Sequence, residues 1–415
     1  MEEKNTIKMT AISKKAFCEA TVQMKSAEEA VSFLKNELIM RNVRNIIEKY
    51  GKGRDIKTLQ KILVEGLKNN RECYEGSEKS GIQKDAVERR VRGWMNPNSH
   101  HMLRKKDAIE VAFLLQLDLK EADEFIALIS EEKLHWRDVE ELVYIYGLSN
   151  HRSYRECTDI LQDPEIQEIL SMVKDGKTLQ EIEEDGYTEF VRDEVKGIKD
   201  PEELKRYIKE NYEKLGRLHN TAYNMFMEMI QKLEYPSQME DNLHLFGKDE
   251  SCEKYTIRDI LKDFLYHDIV ITVKQKASKS KKELKYKNIP EEQQYVLDFI
   301  QKKIADDWPD EVSISKMKNR KMDITRKALM LLFLATDGDY GEYDYDYDLD
   351  EDDQDEKAVF EDILERMNDM LFFCGYSALD PRNPFDWFII YCFCVSDPFD
   401  IDPRILKILE ELFRK

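Results

Sequence analysis

Glycine and proline are scarce, with 15 and 10 residues in a chain of 415, roughly half of the ~7% and ~5% found in average proteins. A β-sandwich or propeller needs turn residues every ~8–12 positions, and this chain cannot supply them. Collagen and glycine-rich cofactor folds are excluded on the same ground. Long apolar runs are missing too. The longest, Trp387 to Val395, falls far short of the ~20 residues that a membrane-spanning helix needs. The seven cysteines (Cys18, Cys73, Cys157, Cys252, Cys374, Cys392 and Cys394) are odd in number and irregular in spacing. They form neither a disulfide framework nor a paired zinc motif. Cys392 and Cys394 stand among Ile390, Tyr391 and Phe393, a setting for buried, reduced thiols. The start, Met-Glu-Glu-Lys, lacks the basic and apolar regions of a secretion signal. These absences lead us to expect a cytoplasmic protein with no membrane partner.

Charged residues make up 36% of the chain and hydrophobic residues 41%, which suits helices with long polar faces. Net charge is −20, but it is unevenly spread. Residues 41–110 carry seventeen Lys/Arg against ten Asp/Glu, whereas 336–356 hold twelve Asp/Glu and no Lys or Arg. A basic segment inside an acidic protein still attracts nucleic acid.

Helix signals recur from end to end, so the expected fold class is all-α and multi-helical. Asp200-Pro201-Glu202-Glu203 places an acceptor at the N-cap, proline at the first helical position and glutamate at N3. The apolar positions that follow, from Leu204 to Leu233, predict some thirty residues of helix. Asp163-Pro164 opens another helix, and Asn383-Pro384 opens an aromatic one. A weak repeat relates 107–125 to 138–160 at an offset of 31, each copy reading as helix, break at a leucine, helix. The organisation expected is a first domain over 1–160, a long-helix region over 161–240 and a C-terminal helical domain over 241–415. The last contains a lysine-rich loop (274–287) and an acidic Asp/Tyr insert (337–356) of disordered composition.

The sharpest constellation is Gln83-Lys-Asp-Ala-Val-Glu-Arg-Arg-Val-Arg-Gly-Trp94. Wound as a helix, Ile82, Ala86, Val87, Val91 and Trp94 form one apolar stripe. Lys84, Asp85, Glu88, Arg89 and Arg92 point away from it together, and a short helix with a basic outer face is what a major groove accepts. Arg104, Lys105 and Lys106 follow as candidate phosphate contacts. The same stripe also suits an ordinary amphipathic helix in a bundle. Here the chain resembles the lambda-repressor/Cro-type helix-turn-helix family over about 55–126. Val87, Arg90, Gly93, Pro97, Ile109, Ala112, Leu115, Leu117, Leu119, Glu121 and Ala122 match the back half of that pattern. The front half departs from it, since Asn69 to Ser80, with Glu72, Glu75 and Glu78, replaces the short turn before the recognition helix. The resemblance implies double-stranded DNA as partner.

Other motifs are weaker. Lys316 to Lys327 holds six cations and one acid, either a second phosphate-binding run or a solvated helix entrance. Gly176-Lys177-Thr178 lacks the glycine that a phosphate loop requires five positions earlier, where Ser171 stands, and Thr178 to Glu181 reads as a capping box. The Asp/Tyr insert lacks the glycine of a calcium loop. His135 stands at a helix entrance with Asp138 as cap. No catalytic triad, paired catalytic carboxylates or HExxH motif is present, so the chain reads as a non-enzyme with no cofactor and no metal. The aromatic run Phe385 to Cys394 implies burial on all sides, in a core or against a protein partner or a second copy. The resulting expectation is a cytoplasmic DNA-binding transcriptional regulator. The alternative is a non-enzymatic helical adaptor that does not read DNA.

Overall fold

The computed structural model describes residues 27–36, 43–75, 80–96, 103–174, 187–212, 215, 219–235, 254–270, 300–336, 356–393 and 401–413. Eighteen helices with named bounds lie among them, with further helical stretches at 267–270 and 300–305 and no strand, so the chain is all-α as its composition requires. The lysine-rich segment, residues 337–355 of the acidic insert and the Gly176-Lys177-Thr178 motif lie outside the described residues.

The chain divides into two units, at positions other than those its composition suggests. One comprises Arg41–His219 with Gly375–Ser377, and the other takes Met1–Met40, Asn220–Cys374 and Ala378–Lys415. The first described helix, Ala27–Asn36 (α1), belongs to the second of these units.

The Arg41–His219 unit contains Val43–Tyr50 (α2), Ile56–Glu75 (α3), Ser80–Trp94 (α4), Lys105–Leu114 (α5) and Leu119–Ser130 (α6). It continues through Val139–Ser149 (α7), Tyr154–Leu161 (α8), Pro164–Lys174 (α9), Tyr187–Gly197 (α10) and Pro201–Asn211 (α11). The helix α3 packs against both α4 and α5. The close approach to α5 is set by Gly66, where a Cβ would overlap the Leu114 side chain. Much of the segment expected to separate α3 from α4 is itself helix, because α3 runs on to Glu75.

The repeat is present, but its true offset is 35 residues. In both copies a helix ends in a residue with positive φ, Gln116 (57°) and His151 (50°). The next N–H reaches back to a helical carbonyl, from Leu117 to Ala112 (3.1 Å) and from Arg152 to Gly147 (2.8 Å). Asp118 with Glu121, and Ser153 with Glu156, then close reciprocal capping boxes on α6 and α8. Small residues meet where the two helices of each copy cross. Ala112 and Ala122 are both fully buried, and in the second copy a Cβ on Gly147 would overlap Cys157 Sγ. The offset of 31 aligned Asp107 with Asp138, but Asp107 lies within the first turn of α5 while Asp138 caps α7.

The predicted thirty-residue helix is two, α11 and Asn220–Glu234 (α12), and the division between the units falls at their junction. Asp200 occupies the N-cap of α11 with Pro201 at the first position, but its side chain makes no capping bond.

The second unit continues with Ile257–Asp263 (α13), Glu311–Lys318 (α14), Arg326–Thr336 (α15), Glu356–Phe373 (α16), Pro384–Phe393 (α17) and Ile401–Phe413 (α18). Its centre is α15 and α17. Ala328 to Leu334 on α15 and Phe385 to Cys392 on α17 are buried without interruption, as expected of helices apolar on every side. Trp387 stacks on Phe33 (5.4 Å) and Tyr391 (5.2 Å). The aromatic run is therefore core. Phe385, Trp387, Phe388 and Tyr391 are buried inside the chain. No described helix is long and apolar enough to cross a membrane.

Candidate nucleic-acid interface

The α4 helix has the stripe its sequence predicts. Val87, Val91 and Trp94 are buried toward α3 while Arg89 and Arg92 are exposed. The Lys84 side chain lies outside the described residues. Two ion pairs fix the helix on its neighbours. Lys68 of α3 bonds Glu88, and Arg90 bonds Asp107 in the first turn of α5. Arg90 also lies 5.2 Å from the Trp94 ring. The latter pair brings the start of α5 beside α4.

Arg104, Lys105 and Lys106 occupy that start, and they diverge because successive residues on a helix are turned by about 100°. Arg104 is the exposed N-cap residue, with no side-chain capping bond. Lys106 is 71% exposed and reaches Glu140 of α7 at 3.1 Å. Lys105 turns inward, with its side chain 18% exposed. Its ammonium lies 2.8 Å from Glu141 and 3.4 Å from Glu132, so it is committed to carboxylates rather than offered to a phosphate. Burial works to lower the Lys105 pKa, but Glu141 and Glu132 outweigh it and hold the amine above its ordinary value. Arg89 and Arg104 have no ion-pair partner among the described residues. Arg92 lies near Glu88, whose carboxyl is held low chiefly by Lys68.

Around Lys105 lies a buried polar centre that the sequence did not announce. Glu141 accepts the His135 backbone N–H at 2.6 Å, and Asp123 accepts the Leu134 N–H at 2.8 Å. Burial raises the Asp123 carboxyl. His135 is buried, its ring 3.9 Å from that of His219. The available signal was Asp138-x-x-Glu141, a capping-box spacing. Only half the box forms, since Asp138 accepts the Glu141 N–H (3.0 Å) while the Glu141 carboxylate serves His135 and Lys105.

In the second basic run four of the six cations have internal partners. Arg326 is 5% exposed and forms a two-pronged pair with Asp386 at 2.7 and 2.8 Å. Lys327 donates to the carbonyls of Lys303 (2.9 Å), Ile304 (3.1 Å) and Asp306 at the end of helix 300–305, and lies over the Phe385 ring. Lys318 pairs with buried Glu234 at 2.5 Å. Arg320 lies 4.1 Å from the Tyr223 ring centre. Lys316 and Lys321 remain exposed.

Among the described residues no group of three or more His, Cys, Asp or Glu is placed to hold a metal ion. Comparison with known proteins finds no matching family model, no matching curated protein and no matching solved structure.

Proposed function

We propose that this protein is a DNA-binding transcriptional regulator that reads duplex DNA through the outer face of α4. The observation that carries the reading is the two-sidedness of that helix. Its apolar edge is buried and pinned by ion pairs, while Arg89 and Arg92 stand exposed on the other side. A short helix anchored in this way fits the width of a major groove, where arginine bonds guanine through two acceptors. Arg104 and Lys106, drawn near by the Arg90–Asp107 pair, supply phosphate contacts that set register. The second unit serves in sensing or oligomerisation.

Enrichment of random duplex DNA by the protein, beside an Arg89→Ala/Arg92→Ala control, tests the reading. A sequence motif enriched by the wild type and lost by the control supports it. No enrichment by the folded protein at low salt rejects it.

A second reading, a helical adaptor without DNA contact, is favoured by one observation. Phe372 and Phe373 near the end of α16 are 63% and 66% exposed. Ionic strength separates the two readings, since DNA affinity falls steeply with salt and an apolar protein contact does not.

A further inference from the structure

We propose that His135 and His219 form an acid-sensitive latch that holds the Gly375–Ser377 segment in place beside Glu131 and Glu132. The proposal is independent of DNA binding. Three residues rejoin the Arg41–His219 unit from far along the chain. The Ser377 N–H and hydroxyl both donate to the Glu131 carbonyl, at 3.2 and 2.9 Å. Tyr376 pairs with Glu132 in an isolated antiparallel bridge. Imidazole adjoins the segment as well. The buried Tyr376 ring lies 5.5 Å from His219. Gly375 adopts φ +80°, and a Cβ there would stand 3.1 Å from His219 Nε2. The His219 ring in turn lies 3.9 Å from His135. Packing therefore runs unbroken from His135 through His219 to the segment.

His135 is built to be neutral. Its Nδ1 accepts the Arg137 backbone N–H at 3.1 Å, so the ring proton resides on Nε2. Nε2 is buried with no hydrogen-bond partner. A second proton has only Nδ1 to occupy, where it would point at the Arg137 N–H and break that bond. The charged groups around it oppose the change as well. Lys105 faces it from α5 and Arg137 from its own loop, with His219 stacked against the ring. The carboxylates Glu141 and Glu132 are engaged by Lys105, Asp138 caps α7 and Asp123 of α6 binds Leu134. Burial above all, then His219, Lys105 and Arg137, hold the His135 imidazole well below its ordinary range.

An opened latch restores the ordinary value of about 6.5, so each pH unit below that favours the open form by up to about tenfold. Burial raises the Asp123 and Glu141 carboxyls. These groups take up protons first in the closed form and stabilise it as pH falls, so they cannot drive opening by acid.

The test is amide hydrogen exchange of the peptide spanning 370–382 in the full chain. It is measured at about pH 7.5 and about pH 5.5, with labelling times scaled for intrinsic exchange. The wild type is expected to lose protection by about tenfold on acidification, and His135→Gln to be protected equally at both values. Wild-type protection independent of pH overturns the latch, as does an undiminished acid loss in His135→Gln. Should that variant not fold, His219→Gln decides. A smaller acid loss supports the pairing of the two rings, and an unchanged one overturns it.

Discussion

Residues 82–106 and 316–327 are both rich in lysine and arginine and both adjoin apolar helices, yet their charges face in opposite directions. In the first run Arg89, Arg92 and Arg104 are exposed, while Arg90 and Lys105 pair with carboxylates on other elements. In the second, Arg326 is drawn into the core by Asp386, and Lys327 covers carbonyls at a helix end. The difference does not lie in the density of charge. It lies in whether a carboxylate or an uncapped carbonyl waits at the right depth, and for Arg326 that carboxylate comes sixty residues later. A basic run is thus a question about its surroundings before it is a sign of nucleic acid.

The comparison is broken most forcefully at Arg326. Replacing it with Ala leaves Asp386 charged and buried, and the expected cost is about 3–5 kcal/mol, read as a lowered denaturant midpoint for the second unit. A value below about 1 kcal/mol would place the pair among surface ion pairs and remove the contrast. Arg89→Ala is the outward counterpart. It should leave stability unchanged and weaken binding to an enriched DNA site by about 1–3 kcal/mol, measured by titration at fixed salt. Asp118→Ala and Ser153→Ala test the 35-residue repeat that carries the start of α5. Each removes an equivalent cap and should cost about 1 kcal/mol, and grossly unequal losses in thermal melts would deny the equivalence. Smallest is Lys106→Ala, expected to change stability by less than about 0.5 kcal/mol while lowering the salt dependence of DNA binding by about one counterion.

The Asp-Pro starts of α9 and α11 and the apolar stripe of α4 are legible in the sequence. Each depends on residues within a turn or two of one another. The errors have a common origin in distance. The apolar spacing from Leu204 to Leu233 continues across the break between α11 and α12, because periodicity records which residues are buried and not whether the backbone between them is helical. An offset of 31 pairs Asp107 with Asp138 and runs four residues out of register with the true offset of 35. Helix α5 in fact begins two residues earlier, and Asp107 binds Arg90 of α4. The inward turn of Lys105 was invisible, since its partners Glu132 and Glu141 lie on later elements.

What the sequence determined by itself is the class and the punctuation. Scarce glycine and proline, dense charge and legible caps specify a chain of short helices, because capping and amphipathicity act over three or four residues. Only the tertiary structure decided which cations face water and which face a carboxylate. It alone placed His135 against His219 and brought Tyr376 beside His219. Those choices depend on desolvation, and the depth of a side chain is set by every element packed over it rather than by its neighbours in sequence.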